Sequence, residues 1–433
     1  MYIRIFLFLL ILLKYAGAFA QLEFNYFPVK TEKINKTKYK ESLLQKLKED
    51  KQKIDSKYKK KLEKIYDEKF DYIVSNIDSS DFYFDDTINF YFQNILKNIQ
   101  QANPILNKPE IKLYVSRATY PNASCLGEGS LIFNIGLLRY LKNESQIAFI
   151  ICHEFAHYTQ NHVMKATTEY LENLYSKETQ EKLKEIKNTQ FGAYKKAQEF
   201  TKAYVFDSRK HGRLHESEAD SIAFLYLKNT KYDENEALTA LALLDSTDTE
   251  KYRDSIQLNT FFDFKEFPFK NSWIAEEKKF VFLKDTVSEM EKDSLKTHPD
   301  CQKRVENLLK MKTISNESKS KYLQPISLFN KIVDYSDFEC IENRLKYKNL
   351  DGAFYLTLKL LKKYPKNVYL HKSLNKCFDV IISGITNHNL NNYLDLPSPF
   401  QEKDYKIVVR FLNNIRKSEV QEIQQLYNNL TKL

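Results

Sequence analysis

The chain has 433 residues, with 67 Lys+Arg against 57 Asp+Glu for a net charge of +10, 42% hydrophobic and 29% charged positions, and only 8 Gly, 10 Pro and five Cys. So little glycine excludes collagen-like and propeller designs, and the apolar share is too high for a disordered chain, leaving a helix-rich globular protein of two or three domains. Neither Gly-x-x-x-x-Gly-Lys nor Gly-x-Gly-x-x-Gly occurs, which excludes phosphate-cradling loops of those two kinds.

Residues 1–20 read as an export signal: Arg4, the apolar run Ile5 to Leu13, then small residues at Ala18 and Ala20 ahead of Gln21. Nine apolar residues ended by Lys14 are too few to span a bilayer, the alternative being an uncleaved anchor over 5–20 with Lys14 snorkelling. Gln21 stands where a lipid-anchored chain would need Cys. No later run approaches 18 apolar residues, so the processed chain is expected to be soluble and periplasmic or secreted.

The positive excess is local. Residues 30–69 hold 15 Lys against 8 Asp+Glu, so the rest of the chain is close to neutral and nucleic acid is not implied as a partner. Leu43, Leu47, Ile54, Tyr58, Leu62 and Ile65 recur as one stripe of a helix. Residues 21–84 are therefore expected to be a basic helical segment packed on the main domain. A peripheral membrane contact through 30–69 is the alternative. The five cysteines form no Cys-x-x-Cys and read mostly as buried small hydrophobes, with a Cys340–Cys377 pairing left open.

Residues 109–163 carry the most information. Ile111 to Ser116 and Ser130 to Ile135 are rich in β-branched and aromatic residues and flank turn signals at Pro121-Asn122 and Leu126 to Gly129, which predicts a strand, loop, strand hairpin. Asn143 offers a helix N-cap with Gln146 three residues on, and the apolar run Ile147 to Cys152 leads into His153-Glu154-Phe155-Ala156-His157.

Four residues turn a helix by about 400°, so His153 and His157 share a face and can place two imidazole nitrogens on one ion. Zinc takes such nitrogens and keeps an open position for water, while Glu154, about 100° round from His153, can act on that water as general base. A continuation with Gly at 160 and His at 163 is excluded by Gln160 and Val163. His162 lies about 180° from His153 and cannot join the same ion unless the helix breaks, so it reads as a polar surface residue or as a support behind a ligand. Glu172 and Glu178 lack the surroundings expected of a third ligand. Farther on, Glu216 and Asp220 share a helical face, so Glu216 can bind the ion while Asp220 braces a ligand. Glu218 would point elsewhere. His211 and His215 remain rivals, and an acidic helix start is the bland alternative for the cluster.

In order, Pro121-Asn122-Ala123, Gly136-Leu137-Leu138, His153-Glu154-x-x-His157 with Asn161-His162, Glu216-x-Glu218-Ala219-Asp220, and Thr297-His298-Pro299 with Arg304 resemble the HtpX and CAAX prenyl endopeptidase family of gluzincin zinc metallopeptidases. The resemblance covers roughly residues 85–312. It implies a zincin-like catalytic domain there, with Glu216 as the third zinc ligand and Pro121, Asn122 and Ala123 leading into an edge strand to which substrate adds. It further implies that His298 steadies the oxyanion and that Arg304 supports Asp220 or the site wall. Without internal membrane spans, the chain is similar to the soluble exported BepA-like branch of that family.

Residues 164–210 read as a Lys/Glu-rich helical insertion walling the cleft. Over 313–433, Ala353 to Pro365 has the spacing of a tetratricopeptide-type helix, although Ile341 stands where that pattern needs a small residue, and a plain helical hairpin bundle is the alternative. These C-terminal helices offer a surface for a protein partner. The expectation is a mostly α, α+β protein with a small β-hairpin or sheet and a helical-repeat-like C-terminal region. Its expected activity is hydrolysis of extended or misfolded polypeptides in the cell envelope, with a chaperone-like or scaffold protein bearing a vestigial zinc site as the alternative.

Overall fold

The structure, a computed structural model, describes residues 26–28, 36–84, 86–108, 111–189, 192–244, 256–276, 301–312, 319–398 and 401–431; the side chains of residues 38, 194–195 and 197–211 fall outside that description. The signal expected at 1–20 and His298 lie outside the described residues. Among those described, no helix is long and apolar enough to cross a membrane. The chain divides into two compact units. One comprises Val29–Lys251 and Lys279–Cys340, the other Met1–Pro28, Tyr252–Lys278 and Ile341–Leu433.

The first unit opens with a hairpin of helices, α1 (Lys36–Gln52) and α2 (Lys59–Asp78). The apolar stripe expected of one helix is thus shared by two. Residues 53–58 leave the helix at Asp55-Ser56, where the Ser56 hydroxyl accepts the Tyr58 N–H at 3.1 Å in place of a helical carbonyl. Leu43 packs with Ile73, Ile77, Phe82, Tyr114 and Ile132, whereas Ile54 and Leu62 pack with Leu171. The hairpin therefore covers one face of a four-stranded sheet.

That sheet consists of β1 (Phe82–Tyr83), β2 (Lys112–Ser116), β3 (Ala123–Cys125) and β4 (Ser130–Asn134) in the order β1-β2-β4-β3. The two strands expected to form a hairpin are neighbours but run parallel, with Tyr114 opposite Ile132. Between them the chain passes beyond β4, forms β3 along its far side, and turns back through Gly127 and Gly129, both at positive φ. The hairpin is instead β3 with β4, and β3 is left at the sheet edge.

The other face of the sheet meets helix α3 (Thr87–Ala102), where Phe92 lies 4.7 Å from Phe133 between ring centroids. Behind it runs α4 (Glu144–Thr159), capped as expected by Asn143, whose side chain accepts the Gln146 N–H. Every residue from Glu144 to Cys152 is buried, which makes α4 the central helix of the unit. Helices α5 (His162–Leu174) and α6 (Lys177–Asn188) follow, then α7 (Ala193–Lys228), 36 residues long and the main partner of α4. Helices α8 (Glu236–Leu244) and α9 (Cys301–Met311) close the unit against α4 and α7.

Helix α10 (Ile326–Lys346) leads into α11 (Leu350–Lys363), α12 (Val368–Thr386), α13 (Lys403–Asn414) and α14 (Lys417–Thr431). In the second unit Phe262 stacks on Phe411 at 5.5 Å and touches Phe354 and Phe378, so residues 256–276 supply the apolar plug of this helical layer. The architecture is mostly helical with one small sheet, the fold class expected from the sequence.

Candidate metal centre

The last two turns of α4 bring His153 and His157 to the surface of the buried helix. Their rings stand 4.6 Å apart at 76°, with Nε2 facing Nε2 at 3.0 Å. Glu216 arrives from the middle of α7, not from a helix start as one reading of the sequence had it. Its Oε2 is 3.4 Å from His153 Nε2 and its Oε1 3.3 Å from His157 Nε2. His153, His157 and Glu216 are a group whose ligand atoms all lie within 4.8 Å of one another.

These separations test the fit of an ion. Ligands about 2.0–2.1 Å from a tetrahedral zinc stand about 3.3 Å from each other. The two Nε2 atoms, 3.0 Å apart, and the Glu216 oxygen that faces each of them, at 3.4 and 3.3 Å, have separations close to that edge length, and the donor set of two imidazoles and one carboxylate suits zinc. The surroundings are electrostatically suited to a cation as well. Burial disfavours a charged His153, yet Asp220 and Glu216 outweigh it and raise its pKa to about 10. Burial likewise opposes the ionised Glu216, but His153, His157 and Arg304 hold it well below the usual carboxylate range.

Asp220, one turn beyond Glu216 on α7, lies 3.0 Å from His153 Nδ1, off the axis of an ideal N–H bond, and is gripped by Arg304 of α9. Arg304 also reaches Glu216 at 3.1 Å, so it touches the two carboxylates that frame the imidazoles. Glu154 points from α4 into the same space. Burial pushes its carboxyl up, against the pull of both imidazoles and of the Cys125 N–H, which donates to it from the edge strand.

These groups line a cleft of about 240 Å³, together with Asn122, Ala123 and Cys125 of the β3 edge and an apolar wall that includes Leu137, Phe149 and Leu241. Pro121, one residue earlier, is not among the lining residues. Cys125 thus belongs to the cleft, while Cys152, Cys301, Cys340 and Cys377 are buried. Glu172 pairs with Lys57 and Glu178 with Lys182, both away from the cluster. The His211 side chain lies outside the described side chains.

The structure adds a contact between His162 and Glu218 that the sequence did not show. His162 does not sit on a continuation of α4, because Asn161 adopts the left-handed conformation at φ 55° and starts a new helix. The break swings His162 into the interior, with Nδ1 3.0 Å from His157 Nδ1 and Nε2 3.1 Å from Glu218 Oε2. Glu218 thus meets the cluster only through His162, and His215 stacks on His162 at 4.5 Å instead of joining the ion-binding group. Burial lowers the His162 pKa to about 4. The available signal was Asn161 itself, since asparagine tolerates the left-handed region better than other residues that carry a Cβ.

Two imidazoles and a carboxylate converging on one point, with a buried glutamate beside them in an open cleft, are the arrangement of metallopeptidases as a class. The sequence model of Peptidase family M48 matches residues 89–312, which is 224 of the 433 residues, and the chain belongs to that family. It is accordingly a peptidase, which acts on polypeptides. No curated protein matches the chain.

Proposed function

We propose that the chain is a zinc-dependent endopeptidase in which His153, His157 and Glu216 hold the ion. When bound there, zinc polarises the scissile carbonyl and makes water a stronger acid. Glu154 takes the proton of the attacking water on its carboxylate and passes it to the leaving amine. Its burial favours the protonated form, which helps it to hold that proton between the two transfers. The outer edge of β3 carries no strand among the described residues, so an extended substrate can pair its main chain there, beside Glu154. Main-chain pairing tolerates many side chains, which suits unfolded polypeptides.

The finer assignments rest on analogy. They are export after removal of residues 1–20, a role in envelope protein quality control like that of the BepA-like branch, oxyanion support from His298, and a partner surface on tetratricopeptide-type C-terminal helices. The observation that carries the metal reading is the approach of the two Nε2 atoms to 3.0 Å with a Glu216 oxygen 3.3–3.4 Å from each, and Glu154 beside them.

The test uses the chain without residues 1–20, with zinc counted per molecule and cleavage of an unfolded protein followed for wild type and Glu154→Gln. One zinc in each is expected, with turnover reduced by about 10²-fold or more in the variant. Equal cleavage by both, or none by either at full zinc occupancy, overturns the proposal and leaves the chaperone-like or scaffold alternative.

A further inference from the structure

His157 has a neighbour that the zinc chemistry does not itself require. His162, only 2% exposed, faces His157 with Nδ1 and Glu218 with Nε2, at 3.0 and 3.1 Å, while its ring lies flat on His215. We propose that His162 and Glu218 form a relay that positions His157 as a metal donor, fixing both the plane of its ring and the nitrogen that carries its proton. The inference rests on the zinc reading above.

Proton bookkeeping permits one arrangement. The His157 Nε2 is the atom turned towards His153 and Glu216, so it must be unprotonated to offer its lone pair to an ion, and the ring proton then sits on Nδ1. Two Nδ1 atoms 3.0 Å apart share one proton favourably, so His157 Nδ1–H donates and His162 Nδ1 accepts. The remaining proton of His162 is then on Nε2, where it donates to the Glu218 carboxylate. The reverse order fails at both ends. It would put a proton on the metal-facing nitrogen of His157 and leave an unprotonated His162 Nε2 against a carboxylate oxygen. Glu218 therefore selects the tautomer of His157 through the one intervening ring of His162.

The two imidazoles are braced differently. His153 meets Asp220 directly, because Asp220 shares a face of α7 with Glu216. Glu218 is about 200° round the same helix from Glu216. It reaches His157 only through a third ring, which the left-handed Asn161 delivers.

Zinc affinity of the full chain, measured by competition with a chromophoric chelator, tests the relay, with the melting temperature of the metal-free protein as control. His162→Phe keeps a flat ring against His215 but no acceptor, and should weaken zinc about 10–100-fold while the metal-free melting temperature stays within a few degrees. Glu218→Ala should weaken it in the same direction, and Glu218→Gln, whose amide oxygen still accepts, should recover most of the loss. The double variant His162→Phe/Glu218→Ala should bind no worse than His162→Phe alone. Wild-type affinity in His162→Phe, or losses that add, would overturn the relay while leaving the zinc reading intact. A wild type with no zinc affinity would overturn both. If His162→Phe does not fold, the Glu218 variants decide, since that side chain is 48% exposed: an alanine variant that binds zinc like wild type ends the proposal.

Discussion

Arg304 holds both oxygens of Asp220, Nε to Oδ2 at 2.6 Å and Nη2 to Oδ1 at 2.8 Å, in a pair almost wholly removed from solvent. The same carboxylate lies 3.0 Å from His153 Nδ1, so one ion pair links α9 to α7 and, through the imidazole, to α4. A planar fork makes this geometry possible and a lysine cannot reproduce it. Arg304→Ala leaves the Asp220 charge buried without its partner and should cost about 3–5 kcal/mol in chemical denaturation. Arg304→Lys should recover only part of that. An alanine variant as stable as wild type would show that the pair is not structural.

Removing zinc should stop turnover without unfolding the chain. The interior of α4 is made by Ile147 to Cys152 and their neighbours rather than by the ligands, and His153 can become the counter-charge of Glu216 when it takes up a proton. After treatment with a chelator the far-ultraviolet circular dichroism should be unchanged. The unfolding free energy should fall by the linkage term, about 4 kcal/mol when free zinc stands at 1,000 times its Kd, and the melting temperature with it. Collapse of the helical signal on metal loss would instead mark a structural zinc site.

Gly136 tests the backbone path that brings the β3 edge to the cleft. A Cβ placed there would lie 2.0 Å from the Thr119 carbonyl oxygen, while the Gly136 N–H donates to Ala118 O at 3.1 Å. Backbone meets backbone, so no side-chain rotation relieves the overlap. Gly136→Ala should destabilise the protein by about 3 kcal/mol or more, read by denaturant titration. Tolerance of alanine at this position would mean that the 117–129 connection can shift.

Asp86 gives a pH dependence remote from the metal centre. One of its oxygens accepts the Asn89 N–H at 2.8 Å to cap α3, and the other is buried with no hydrogen-bond partner among the described residues. Burial pushes the carboxyl up to about 6, against the opposing pull of the Asn89 N–H and Arg117. Because the folded pKa is raised, the contribution of Asp86 to stability is fully present below about pH 4 and is lost as pH rises through about 6. Asp86→Asn retains a capping oxygen without the charge. The stability of wild type relative to this variant should therefore fall between about pH 4 and 6 and level off above. A difference independent of pH would refute the assignment.

Local signals in the sequence carried well into the structure. The Asn143 cap, the apolar run that follows it and the four-residue spacing of His153 and His157 depend on residues within one helix, where geometry follows from order along the chain. The α1–α2 hairpin shows the limit of that reasoning. A stripe from Leu43 to Ile65 keeps helical spacing across a break, because both helices present their apolar sides to the same unit. Strand pairing was less legible still: β2 and β4 have the composition of hairpin strands, but the thirteen residues 117–129 are long enough to carry the chain past β4 and reverse the pairing sense.

By itself the sequence determined that α4 presents two imidazoles and a carboxylic acid near its C-terminal end, since a helix converts a spacing of four into a shared face. Only the tertiary structure brought Glu216 to within 3.4 Å of both rings from 63 and 59 residues away, set Arg304 on Asp220, and drew His162 inward. Those contacts depend on where α7 and α9 pack and on one left-handed residue at Asn161, and neither is written into the periodicity of any single helix.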